Sequence, residues 1–127
     1  MDENLWSVLC HALPAATLLF GIPGFLAPLI ILFTQAKKSA RVRWHAVEAL
    51  NFQLTVLVVQ VCFVVAVVVS ISGLNLVSAS QWWSMIVLPM VLGIPLAIYS
   101  FAMPIVASVR SGNGEYWRYP LTVRIIK

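Results

Sequence analysis

No aspartate, glutamate, lysine or arginine occurs from Asn4 to Ala36, and none from Ala49 to Val109. This spacing of charge constrains the chain more than any motif in it. A helix needs about 20 consecutive apolar residues to cross about 30 Å of hydrocarbon. The first uncharged stretch is long enough for one crossing, and the second for two crossings and a turn. Across the 127 residues, 61% are hydrophobic and 9% charged, which leaves a water-soluble domain too little polar surface to cover itself. The expected fold is an all-α integral membrane protein, with residues 1–127 as a single membrane domain. A cleavable signal peptide is not expected, because the chain opens Met1-Asp2-Glu3-Asn4 where basic residues belong, and the apolar run that follows is too long.

Three transmembrane segments are expected, at about 5–33, 45–71 and 84–109, followed by a short interfacial tail over 110–127. The first is interrupted by Gly21-Ile22-Pro23-Gly24, where the missing proline donor and the flexible glycines break or kink a helix. Either one broken crossing or a re-entrant hairpin with a short second arm fits, and the broken crossing is preferred. The third segment carries Pro89, Gly93, Pro95 and Pro104, with Gly93 and Ala97 spaced for close helix contact.

Lysine and arginine set the orientation. Four lie between Lys37 and Arg43, none between the second and third segments, and four from Arg110 to Lys127. Two crossings separate the basic stretches, so both face the cytoplasm by the positive-inside rule, while residues 74–81 face out. A multi-pass protein of a bacterial cytoplasmic (inner) membrane follows. The net charge of +4 then needs no nucleic acid, since anionic lipid headgroups suit cationic segments at a membrane surface. Lys37, Lys38, Arg43, Trp82, Trp83, Tyr116, Trp117, Arg118 and Tyr119 are the expected contacts with lipid or with other integral membrane proteins, in a hetero-complex or a homo-oligomer.

One ionisable cluster opens the second segment. Arg41, His45, Glu48 and Asn51 share a helix face. A carboxylate at the edge of hydrocarbon is costly unless paired, so Arg41 or His45 is the expected partner of Glu48. Gln53 and Gln60 fall on another stripe, where interhelical hydrogen bonds are expected. His45 and Glu48 supply only two ligands, whereas a di-iron bundle requires a second such pair and two more glutamates. No histidine–carboxylate arrangement activates a serine. Cys10 and Cys62 have no metal or redox spacing and read as small buried hydrophobes. No catalytic residue, metal or cofactor is expected, and the chain does not read as an enzyme.

The run Arg43-Trp44-His45-Ala46-Val47-Glu48-Ala49-Leu50-Asn51-Phe52-Gln53, with Gly114-Glu115-Tyr116-Trp117-Arg118-Tyr119-Pro120 later and Leu9-Cys10-His11-Ala12-Leu13 near the start, resembles a group of small bacterial membrane proteins known mostly as a domain of unknown function. That group is similar to the twenty-kilodalton membrane component of the chloroplast inner-envelope (Tic) protein translocon, chiefly over Arg43 to Leu50. The resemblance implies a helical membrane fold and a place in a protein-translocation or permeation pathway. The residues themselves, with no chemistry in view, point to an accessory or scaffold subunit of a larger membrane complex.

Overall fold

The computed structural model describes residues 2–19, 23–72 and 82–127, and their side chains except at 17–19, 82–86 and 88. Four helices follow in order: α1 (Glu3–Leu19), α2 (Leu26–Thr34), α3 (Ala40–Ser72) and α4 (Trp82–Gly112). Their ends obey local chemistry. The Asp2 carboxylate accepts the backbone N–H groups of Asn4 and Leu5, each at 3.1 Å, and Ser39 Oγ accepts that of Val42 at 3.3 Å, so each satisfies donors that a first helical turn leaves open. At the end of α4, Gly114 N–H bonds to Ser111 O and Glu115 N–H to Arg110 O. This closing motif needs a left-handed residue at position 114, and Gly114 has φ +89°.

The chain forms two compact units, Met1–Thr55 with Phe101–Lys127, and Val56–Ser100. In the first, α1 and α2 pack on each other. Cys10 of α1 and Ile31 of α2 join one buried cluster with Val42, Ala46 and Ala49 of α3, flanked by Trp6, Leu9 and Leu32. A continuous helix would hold Cys10 and Ile31 roughly 30 Å apart. The first apolar segment is therefore a helical hairpin, and the preferred single broken crossing is not what the chain adopts. The nine residues of α2 rise only about 13 Å, less than half of a hydrocarbon core. Pro23 and Gly24 follow the gap at residues 20–22, so the Gly21 side of the expected break lies outside the described residues. Gly24 marks how closely the hairpin approaches its neighbours. A Cβ there would stand 2.7 Å from Gln53 Oε1 and 3.4 Å from Pro14 O, so the hairpin tip seats directly on α3.

Among the described residues, two helices are long and apolar enough to cross a membrane, Ala40–Ser72 and Pro89–Gly112. Three spans are thus not found among the described residues; the hairpin takes the place of the first. In the second unit Gly93 of α4 meets Phe63 of α3, where an added Cβ would lie 3.1 Å from the ring. The small residue does allow close approach, to a phenylalanine of the same chain. Val58, Val61, Val65 and Val68 of α3 and Ile94 and Ile98 of α4 are exposed, as is Cys62, whereas Cys10 is buried. A helix apolar on every side belongs in lipid or in a larger protein core. The connector 74–81 lies outside the described residues.

Candidate functional site

The first turns of α3 carry the site because residues three, four and seven apart share a face. Each member of the Arg41, His45, Glu48 and Asn51 set reaches another element of the first unit. Arg41 donates from Nη2 to Ser111 O, at the end of α4, at 3.0 Å. The Glu48 carboxylate accepts the Tyr119 N–H at 3.1 Å and Arg124 Nη2 at 3.1 Å. Arg124 is thus the ion-pair partner of Glu48, in place of Arg41 or His45. The reason is direction. Arg41 is drawn to the carbonyls that end α4, and His45 turns toward α1.

Asn51 reaches the tail through both ends of its amide. Its Oδ1 accepts the N–H groups of Ile125 at 3.0 Å and Ile126 at 2.8 Å, while Nδ2 donates to Ile126 O at 2.8 Å. One turn on, Thr55 Oγ1 accepts the Val123 N–H at 3.1 Å and donates to Asn51 O at 2.8 Å. The tail alternates in sequence like a strand, yet no strand occurs among the described residues. Side chains of α3 satisfy its backbone in place of a neighbouring strand, and the buried Tyr119 N–H in particular requires such a partner. The tail doubles back at Pro120-Leu121, where Leu121 takes φ 56°, a left-handed conformation that costs a non-glycine residue about 1–2 kcal/mol.

Beneath the tail lies a buried hydrogen-bonded line. Tyr119 Oη is 2.8 Å from His11 Nδ1, and His11 Nε2 is 3.0 Å from His45 Nδ1. Both histidines are fully buried and Tyr119 is 2% exposed. Each imidazole offers one donor and one acceptor when neutral, so the protons must be ordered together. If Tyr119 donates, His11 donates from Nε2 and His45 carries its proton on Nε2; if Tyr119 accepts, every imidazole proton moves to the other nitrogen. His45 Nε2, the far end, is buried with no hydrogen-bond partner, as are Arg41 Nε and Trp117 Nε1. Aromatic rings enclose the line: Tyr116 stacks on His45 with centroids 5.7 Å apart, and Phe52 on Tyr119 at 4.1 Å.

The expected interface residues divide. Lys37, Lys38, Arg43, Tyr116 and Arg118 are exposed, and Arg118 lies 6.0 Å over the Trp44 ring. Trp117 is half-buried beneath Arg110, 4.7 Å from its ring centroid, and Arg110 pairs with Glu115 at 2.9 Å. Tyr119 is the correction. Its hydroxyl bonds to His11 and its ring to Phe52, so it belongs to the core and not to a lipid or partner surface. Trp82 and Trp83 open α4, with side chains outside the described set. Gln53 is buried against Gly24, and Gln60 is half-buried on α3. Sequence reasoning missed Thr55 as a member of the α3 face, the backbone of 119–126 as what that face binds, and His11 as the partner of His45. Nothing local links positions 11, 45 and 119. The one usable signal was a buried histidine in α1 that needed a partner. Among the described residues, no group of three or more His, Cys, Asp or Glu side chains is placed to hold a metal ion.

A family model described as the magnetosome magnetite crystal formation protein family matches residues 2–126. That match includes Arg43 to Leu50, the segment that resembles the chloroplast translocon component, and assigns it to a different family. The translocon resemblance is not supported. No curated protein and no solved structure matches the chain.

Proposed function

Because the chain belongs to the magnetosome magnetite crystal formation family, we propose that it serves magnetite formation as a membrane-embedded accessory subunit and not as a catalyst. One observation carries this reading. The side chains suited to chemistry, His11, His45, Glu48 and Asn51, are buried and bonded within the fold. What the protein turns outward is apolar helix and cationic surface. Such a chain acts by holding neighbours, either other integral membrane proteins or further copies of itself.

In this reading α3 and α4 cross the membrane, and the α1–α2 hairpin enters beside α3 and returns. Its tip meets Gln53, roughly 20 Å along α3 and short of the far side. Residue 3, the 37–43 loop and the tail then share the cytoplasmic face, which the four-none-four distribution of basic residues favours. Cysteines introduced at positions 3 and 38 should label from one side of sealed vesicles, and one at 78 from the other. Labelling of 3 and 38 from opposite sides would overturn the hairpin topology.

The functional test uses a magnetite-forming host deleted for its own family member. Wild-type protein should restore crystal number and size, measured by electron microscopy, and should co-purify with other membrane proteins in mild detergent. Glu48→Leu with Asn51→Ala, which frees the tail, should still insert but should restore neither. Full rescue by a wild-type protein that migrates as a lone monomer would sink the accessory reading.

A further inference from the structure

Two cavities meet where the tail ends against α3. One, of about 340 Å³, is lined by Trp44, Val47, Arg43, Arg118, Ile126 and Lys127 among others. The other, of about 270 Å³, shares Arg43, Val47, Ile126 and Lys127 and adds Leu32, Phe33 and Lys37. The shared residues make them one continuous groove. Its floor is apolar, from Trp44 and Val47 to Leu32 and Phe33. Its rim is cationic, and Lys37, Arg43, Arg118 and Lys127 are all exposed. Glu48 is the only acidic residue in the lining, and it is already bonded to Arg124 and to the Tyr119 N–H.

We infer that this groove binds an anionic glycerophospholipid, with the phosphate among Arg43, Arg118 and Lys127 and an acyl chain along Val47, Leu32 and Phe33. The charge is one-sided, so a zwitterionic headgroup would set its ammonium among four cations. The floor is apolar, so a bare anion would leave it wet, whereas an amphiphile covers both parts. A bound acidic polypeptide would bring backbone groups in need of partners, and Asn51, the neutral polar side chain in the lining, is spent on the tail. The groove lies beside the first turns of α3, where a long apolar helix begins and a headgroup layer is expected. This inference rests on the proposed membrane embedding of α3, which the labelling experiment tests independently.

The test is native mass spectrometry of the full protein in mild detergent with phosphatidylglycerol or phosphatidylcholine added. Wild type should retain one phosphatidylglycerol and release phosphatidylcholine. Each cation near an anionic surface contributes about a fivefold factor, so Arg43→Gln with Lys127→Gln should weaken retention about 25-fold. Lys38→Gln removes a charge outside both cavities and should leave retention unchanged. Val47→Trp keeps every charge but fills the floor, and it too should lose the lipid. Equal retention of the two lipids, or wild-type retention by the Arg43→Gln/Lys127→Gln protein, would overturn the site. An acidic polypeptide held there in place of any lipid would overturn it as well.

Discussion

Residues 2–55 with 101–127 are joined by side chains that reach between elements: Arg41 to Ser111, Glu48 to Arg124, Asn51 to Ile126, His11 to both His45 and Tyr119. In residues 56–100 the side-chain bonds of Ser70, Ser72 and Ser100 turn back onto their own helices, to Ala66, Val68 and Leu96, and valines line the outside. The contrast separates two sources of structural order. Polar bonds fix one arrangement among many and punish the loss of a partner. Apolar helices in lipid are fixed mainly by length, by small residues and by insertion itself.

The contrast breaks most sharply if a charge is tolerated in the second unit. Val65→Lys places an ammonium on an exposed stretch of α3, and insertion should become less favourable by about 3 kcal/mol. Membrane-fraction yield should fall steeply; normal yield would mean that this face meets water or a polar partner. Glu48→Leu comes next. It strands the buried Tyr119 N–H and deletes a charge-assisted bond, so the tail should loosen by about 2–3 kcal/mol. Limited proteolysis between residues 115 and 127 reads this directly, and Glu48→Gln should be distinctly milder. Equal protection of both variants would show that the carboxylate does not hold the tail.

The buried line sharpens the same point through non-additivity. His45→Leu strands His11 Nε2, and His11→Leu strands His45 Nδ1, so each single change should cost about 1–3 kcal/mol. The double variant should cost less than the sum, with a coupling of about 1 kcal/mol in thermal unfolding. Strict additivity would mean that the two rings do not depend on each other. The smallest effect belongs to Leu121. It is 87% exposed and left-handed, so Leu121→Gly removes strain at the turn and loses little contact. The tail should become more protected by about 0.5 kcal/mol, and a loss of protection would show that the leucine itself is held.

Much of the second unit was legible in the sequence, because an uncharged run declares a membrane helix by composition alone. The α3 face was legible too, since Arg41, His45, Glu48 and Asn51 share it through helical spacing. Their partners were not. Periodicity says which side chains share a face but not what packs against that face, and Glu48 found Arg124 instead of its neighbours on the helix. The hairpin was one of two readings of Pro23 and Gly24. Local propensity could not choose between them, because the choice lies in how Cys10 and Ile31 meet Val42 and Ala46. The tail misled for a related reason. Alternation from Leu121 to Ile125 suggests a strand, but side chains of a helix supply what a strand ladder would.

The bond between His11 and Tyr119 joins positions 108 residues apart, and that separation sets an order of assembly. The segment bearing His11 is synthesised before α3 exists, and its imidazole must wait through the making of both long helices for its phenol. Until residues 119–126 are made, His11, Glu48 and Asn51 lack the groups that satisfy them. Closing so long a loop is entropically only modestly worse than closing a short one. The first unit is therefore the last part of the chain to mature, although it contains the residues made first.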